Sequence, residues 1–418
     1  MKRFNVNDKS IESLIGQLLT GGEDHEDAFA RATLSVLTEP GDRFAGALVA
    51  AFSASEVLEF EVQKLTPIAI QNRLRAEGQL ADIEETFGDF QNAFAEARER
   101  WRPRLQLAEV AKALQLAIKV NAKLVTPESE HWPAQLSDLQ LASPHCLWVR
   151  SKTCSVQLLQ NSIAIVGSRI STSYGEWVTS EIVSDCASRD LAIVSGGAYG
   201  IDAIAHRSAI ACEQNTVAVM AGGIDRLYPS GNSALLEKVI DSGAVVAEQA
   251  PGASPTKWRF LQRNRLIAAL GRATIVVEAG FRSGALNTVS HAKQLDRPIG
   301  VVPGAITSQS SAGCNRLIAE GLVSSICSPT QAADLALGKQ GWFQAELEGI
   351  GALETRALDG MTSKPVAASQ IAAKAGLTTK ELTIALGQLS LLGFVKQTDS
   401  GWVKLPLERE QSTDTSDQ

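Results

Sequence analysis

No apolar run in these 418 residues approaches the length needed to cross a bilayer, which sets aside a helical membrane protein. The opening Met1-Lys2-Arg3 leads at once into polar Asn5, Asn7, Asp8 and Lys9, with no apolar core of a secretory signal, so the expected compartment is the cytoplasm. The six cysteines, Cys146, Cys154, Cys186, Cys212, Cys314 and Cys327, form no Cys-x-x-Cys pair and have no histidine at ligand spacing. That pattern argues against zinc and against a disulfide framework, and leaves the thiols as small buried hydrophobes. Excess positive charge is also missing. With a formal net charge of −7, nucleic-acid binding could arise only from cations gathered locally. No internal repeat is visible.

What is present is enough chain for two or three domains. The first 120 or so residues carry apolar positions at helical spacing, as in Ile11-Leu14-Ile15-Leu18 and Phe29-Ala32-Leu34-Leu37. Further helical regions are expected over Phe44–Val62, Leu80–Ala97 and Leu105–Val120, with Pro40-Gly41-Asp42 as punctuation. From Ser162 the pattern changes to short apolar runs, each followed by a helical stretch: Ile163–Val166, Leu191–Ser195, Val217–Ala221, Val245–Glu248, Thr274–Glu278 and Ile299–Val302. Unalternated strands separated by helices predict a doubly wound, mostly parallel sheet covered on both faces, with the strands' carboxyl ends on one edge. Near the end, helices over Leu353–Met361, Ala368–Ala375 and Lys380–Leu392 precede a hairpin over Phe394–Leu405, the order of a winged helix. The predicted division is a helical, SAM-like domain over 1–122, the sheet domain over 123–328, a winged-helix domain over 342–408 and a disordered tail over 409–418.

Four of the six strand ends carry glycine turns. The first runs into Gly167-Ser168-Arg169, the second into Ser195-Gly196-Gly197-Ala198-Tyr199-Gly200, the third into Gly222-Gly223, and the fifth into Gly280 with Ser283-Gly284 just beyond. Glycine lets an anion approach backbone N–H groups at a helix entrance, and an arginine adds a planar fork. One such turn alone is as well explained by tight strand-to-helix geometry. Recurrence along the edge where such sheets bind ligands is more specific. No G-x-G-x-x-G occurs, so a dinucleotide cofactor is not expected. Asp202 reads as a first-turn acid matching the helix dipole and His206 as a packing histidine.

Between the fourth and fifth strands, Trp258-Arg259-Phe260-Leu261-Gln262-Arg263-Asn264-Arg265 brings cations and aromatics to a helix entrance. Its arginines could meet adjacent phosphates, and Trp258 or Phe260 could stack on a base; packing and ordinary surface charge are the bland alternatives. Residues 161–327 hold eleven arginines against three lysines, a bias that suits forked phosphate contacts.

The ordered set of motifs resembles the DNA-processing protein A family, also called DprA or Smf. It comprises Gly167-Ser168-Arg169 with Tyr174-Gly175, Ser195-Gly196 through Gly200-Ile201-Asp202, Gly223-Ile224-Asp225 with Tyr228-Pro229, Arg263-Asn264-Arg265, Val277-Glu278-Ala279, Ser283-Gly284 and Val302-Pro303-Gly304. The sequence departs from the family at Ala285, where a serine is usual. The resemblance implies a Rossmann-like domain that protects incoming single-stranded DNA and loads a RecA-type recombinase in natural transformation or recombination. It also implies a homodimer formed through that domain, with no catalysis, metal or cofactor. The expected phosphate contacts are Gly167, Ser168, Arg169, Ser195, Gly196, Gly197, Gly200, Arg263, Asn264, Arg265, Ser283 and Gly284.

Two other functions compete. Related Rossmann-like proteins cleave nucleoside monophosphates with a glycine loop and a glutamate shortly downstream. Here no acid follows Gly280–Ala285 until Asp296, and Glu278 is the nearby carboxylate. A winged-helix regulator would need a basic recognition helix, and Lys380–Leu392 carries Lys380 as its single base.

Overall fold

Capping residues set the helix boundaries in the computed structural model, which describes residues 9–152, 157–339, 351–362, 364–398 and 400–405. The described N-terminal helices are α1 (Lys9–Leu18), α2 (His25–Leu37), α3 (Arg43–Ala51), α4 (Ala54–Val62), α5 (Pro67–Ala76), α6 (Leu80–Phe87), α7 (Phe90–Trp101) and α8 (Leu107–Lys119). The region Phe44–Val62 is two helices rather than one, because the Ser53 hydroxyl accepts the Glu56 N–H at 3.1 Å and starts α4 afresh. Leu80–Ala97 divides likewise where Asp89 accepts the Asn92 N–H at 3.0 Å.

The six strands expected from the sequence all form, and three more join them. The sheet contains β1 (Lys123–Val125), β2 (Leu147–Arg150), β3 (Ser162–Val166), β4 (Ala192–Ser195), β5 (Thr216–Met220), β6 (Ala244–Ala247), β7 (Thr274–Val276), β8 (Ile299–Val301) and β9 (Ser324–Ser325), in the order β1-β2-β6-β5-β4-β3-β7-β8-β9. Strands β3 to β9 pair in parallel, while β2 runs antiparallel to both β6 and β1.

The crossover helices are α9 (Ser173–Ser188), α10 (Ile201–Ala211), α11 (Ser233–Ser242), α12 (Lys257–Leu270), α13 (Ala285–Gln294), α14 (Ala312–Ala319) and α15 (Pro329–Ala336). Period-two alternation distributes them. Ile163 and Ile165 of β3 pack with Ile182 of α9, Ala205 of α10 and Ala333 of α15, whereas Ala164 and Val166 pack with Leu266 of α12 and Val289 of α13. The N-terminal helices share one apolar cluster with the other end of the sheet, where Phe29, Leu34 and Trp148 meet Val245 and Leu236. Trp148 Nε1 donates to Ser35 Oγ at 3.3 Å, satisfying the one polar group of a fully buried indole. Residues Met1–Lys339 make up one compact unit.

From β3 the chain steps outward through β4, β5 and β6, then returns to the other side of β3 to lay down β7 and β8. The order therefore reverses between β3 and β7. Their outgoing loops lead to opposite faces and open a crevice beyond the strands' carboxyl ends.

The second unit, Gln340–Gln418, holds α16 (Ala352–Asp359), α17 (Ala368–Ala375) and α18 (Thr379–Leu391), followed by the hairpin of β10 (Val395–Thr398) and β11 (Gly401–Lys404). This is the winged-helix order, closed over Ala357, Ile371, Leu382, Leu386 and Val395. The expected start of this unit at 342–350 and the expected disordered tail over 409–418 lie outside the described residues, as does Cys154. No helix among the described residues is long and apolar enough to cross a membrane.

Candidate functional site

A cleft of about 980 Å³ occupies the crevice between the β3 and β7 loops. Its floor and walls come from Gly167-Ser168-Arg169 after β3, from Gly280 and Arg282-Ser283-Gly284-Ala285 after β7, and from the first turns of α12. Positive charge dominates it. Arg169, Lys257, Arg263 and Arg282 line the cleft against one acid, Asp202. Arg169 is exposed and stands over the Phe260 ring, 5.3 Å from its centroid, and Tyr228 packs on the same ring at 5.7 Å. Among the described residues, Arg169, Lys257 and Arg282 have no ion-pair partner. Cations beside a flat aromatic shelf can hold a polyanion that also carries flat rings.

Beneath these groups lies a layer of braces. Arg263 is buried, and its guanidinium donates to the Gly196 carbonyl at 2.8 Å and to the Val219 carbonyl, tying the ends of β4 and β5 together. Burial lowers its pKa to about 10, partly offset by the Asp202 carboxylate. Asp202 accepts from the Gly196 and Ala198 N–H groups at 3.2 and 3.4 Å, and burial pushes its pKa up. The glycine turn after β4 is thus a nest already filled by the protein's own carboxylate, rather than one open to a ligand. Asp202 does more than complement a dipole. Gly200 completes this layer: at φ +73° its backbone lies so close to Ser168 that a Cβ would stand 2.2 Å from the Ser168 carbonyl oxygen.

Glu278, buried at the β7 end, accepts from the Thr172 N–H at 3.0 Å and from the Thr172 hydroxyl at 2.5 Å. Thr172 in turn caps α9 by accepting the Gly175 N–H at 3.2 Å. Both carboxylate oxygens are therefore occupied in joining β7 to the β3 loop. Asn264 donates to Asn287 Oδ1 at 3.1 Å and to the Gly284 carbonyl at 3.4 Å, holding the β7 loop against α13.

Of the residues expected to contact phosphate, Gly167, Ser168, Arg169, Arg263, Asn264, Ser283 and Gly284 line this cleft. Gly196 and Gly200 lie behind it as backbone supports, Gly197 is held through its carbonyl by Asn232 at 3.0 Å, and the buried Ser195 hydroxyl donates to the Ile165 carbonyl at 2.6 Å. Arg265 does not join Arg169 and Arg263. Two residues along a helix turn a side chain through about 200°, and Arg265 pairs with Glu248 at 2.6 Å on the far side of α12. Sequence reasoning passed over Lys257 and Thr256. The signal for both was the cap, since the Thr256 hydroxyl accepts the Arg259 N–H at 3.2 Å and opens the helix with Lys257 at its rim.

His206 is fully buried on α10, with Nδ1 2.7 Å from Thr216 Oγ1, and burial lowers its pKa to about 3. An unfolded chain takes up that proton near pH 6.5 while the folded one refuses it, so stability present above pH 6.5 drains away as pH falls toward 3. Wild-type protein is expected to lose about 2 kcal/mol from this group between pH 7 and pH 5. Urea unfolding of wild type and His206→Gln at both pH values checks this: the variant should show the smaller change.

In the second unit, Glu381 closes a capping box on α18, accepting from the Thr378 N–H and hydroxyl, both at 2.8 Å. These hydrogen bonds lower its pKa. The end of α18 that would enter a groove thus carries a fixed negative charge beside Lys380.

Residues 123–336 match the family model described as DNA recombination-mediator protein A. The DprA protein of Mycobacterium tuberculosis strain H37Rv is 36% identical over 321 residues, covering 72% of this chain and 81% of its own. The Smf protein of Synechocystis is 30% identical over 312 residues, covering 66% of this chain and 78% of its own. The X-ray structure of DNA processing protein A from Streptococcus pneumoniae superposes with a TM-score of 0.57 at 28% identity, covering 77% of this chain and all of that one.

Proposed function

Since this chain belongs to the DNA recombination-mediator protein A family, we propose that it binds single-stranded DNA along the β3–β7 crevice, protects it, and delivers it to a RecA-type recombinase during transformation or recombination. The observation that carries this reading is the cleft itself: Arg169, Lys257 and Arg282, unpaired among the described residues, stand around the Phe260 shelf on a chain that is acidic overall. Such an arrangement grips a backbone with little regard for sequence and loosens as salt rises. Of the twelve candidate residues, Gly167, Ser168, Arg169, Ser283 and Gly284 face phosphate in this reading, Arg263, Asn264, Ser195, Gly196, Gly197 and Gly200 keep the edge in shape, and Arg265, paired with Glu248 away from the cleft, does neither.

The protein acts by binding rather than by hydrolysis. A glycosidic-bond cleavage would need a carboxylate aimed into the pocket. Glu278 spends both oxygens on Thr172, and Asp202 turns Oδ2 to the Gly196 and Ala198 N–H groups. The winged-helix unit suits a protein contact better than duplex reading, because Glu381 is fixed beside Lys380 at the helix entrance. A homodimer through the Rossmann-like domain and the recombinase contact belong to the same proposal.

The test is a gel-shift comparison using the full chain with one oligonucleotide, single-stranded and annealed to its complement. Single strands are expected to shift at protein concentrations at least tenfold lower. Equal affinity for the duplex, or no shift of either, would overturn the reading.

A further inference from the structure

Helix α12 has two polar faces, and the cleft uses one of them. Lys257, Phe260, Leu261 and Asn264 turn toward the cleft, while Trp258, Gln262 and Arg265, spaced at i, i+4 and i+7, form a stripe along the other side. That stripe faces a second cavity of about 580 Å³, closed by Gly41 and Arg43 around the start of α3, by residues 138–142 before β2, and by His291 and Gln294 of α13 with Leu295 just beyond it. Its size lies within the roughly 300–1,000 Å³ of small-molecule sites.

Unused hydrogen-bonding capacity marks this cavity. Arg265, 3% exposed, gives Nη2 to Glu248 at 2.6 Å, but its Nε and Nη1 have no hydrogen-bond partner. His291 Nε2 is likewise buried with no partner in good hydrogen-bond geometry, its ring lying beside the Leu261 backbone and the Gln294 side chain. Buried polar atoms left in this state cost stability unless something fills their valences. Gly41 is tailored to the site: a Cβ there would lie 2.9 Å from Arg265 Nε and 3.1 Å from Gln262 Oε1.

The chemistry on offer favours a neutral, flat, polar ligand over a phosphate. Glu248 already balances the charge of Arg265, so the deepest cation has little net attraction for an anion. What remains is a set of donors and acceptors of both kinds, from Arg265, His291 and the amides of Gln262 and Gln294, with Trp258 half-exposed at the mouth. Those are the groups that read the edge and stack on the face of a nucleobase.

We propose that the cavity behind α12 receives a base of the same single strand whose backbone lies in the cleft in front of it, so that the strand straddles the first turn of this helix. The inference rests on the single-stranded DNA reading above. Bases held there are protected from pairing, while the neighbouring phosphates stay on Arg169 and Lys257.

The experiment uses the full chain and two labelled strands of equal length, oligothymidylate and a strand of abasic residues, followed by fluorescence anisotropy. Wild type is expected to bind the base-bearing strand at least fivefold more tightly. Trp258→Ala and Gln262→Ala, whose side chains are only partly buried, should each reduce that preference toward parity and leave abasic affinity within twofold of wild type. Arg169→Ala should weaken both strands alike. If the preference survives in both cavity variants, or if they weaken the abasic strand as much as the other, the cavity does not hold a base although the cleft still binds DNA. If thymidine monophosphate alone binds with the same dependence on Trp258 while the strand preference is unaffected by the variants, the occupant is a free nucleotide and the straddling strand is ruled out. If wild type binds neither strand, the function proposed above fails together with this inference.

Discussion

Arg169→Ala is expected to weaken single-stranded DNA binding by about tenfold or more while leaving the unfolding midpoint unchanged. The side chain is exposed and has no described ion pair, so nothing in the fold leans on it; its single notable neighbour is the Phe260 ring at 5.3 Å. A charge-assisted contact to phosphate contributes roughly 1.5–3 kcal/mol, and each one lost from a single strand should flatten the plot of log affinity against log salt by about 0.7 unit. Removing Lys257 and Arg282 as well should bring the total flattening to about 2 units, since all three line the same cleft. Anisotropy titrations at four salt concentrations, run beside a denaturant melt, separate this from misfolding. An unchanged slope in the folded triple variant would remove the cleft from the binding path.

Arg265→Met is expected to have the opposite profile. Arg265 is 3% exposed and its partner Glu248 11%, so the substitution strands a carboxylate that also accepts the Gly41 N–H at 3.1 Å. Breaking one side of such a pair costs about 3–5 kcal/mol, whereas replacing both sides can be close to neutral. The single variant should therefore unfold at markedly lower denaturant, and Arg265→Met combined with Glu248→Gln should regain much of the loss. The salt slope of DNA binding should stay at its wild-type value in the protein that remains folded, because Arg265 meets no phosphate in the cleft. A slope reduced by the same 0.7 unit as in Arg169→Ala would return Arg265 to the phosphate contacts.

The contrast between these two arginines shows where reading the chain stops. Motif order alone brought Arg169, Arg263 and Arg265 to one helix entrance and one sheet edge, and the strands and the winged-helix order were legible because periodicity and turn residues are local properties. The antiparallel strand β2 was not, since Leu147–Arg150 is an ordinary short apolar segment until Val149 and Val246 pair across about a hundred residues. Direction and partnership were equally hidden. A one-dimensional pattern does not say that Arg265 turns away to Glu248, that Arg263 sinks to hold the Gly196 carbonyl, or that Asp202 fills the glycine nest beside it. By itself the sequence determined which chemistry gathers at the strand ends: glycine turns, forked cations and aromatics. Only the tertiary structure decided which of those groups face a ligand and which brace the edge, because burial and pairing are set by residues distant in the chain, and the same arginine is a ligand where it meets water and a strut where it meets a carbonyl.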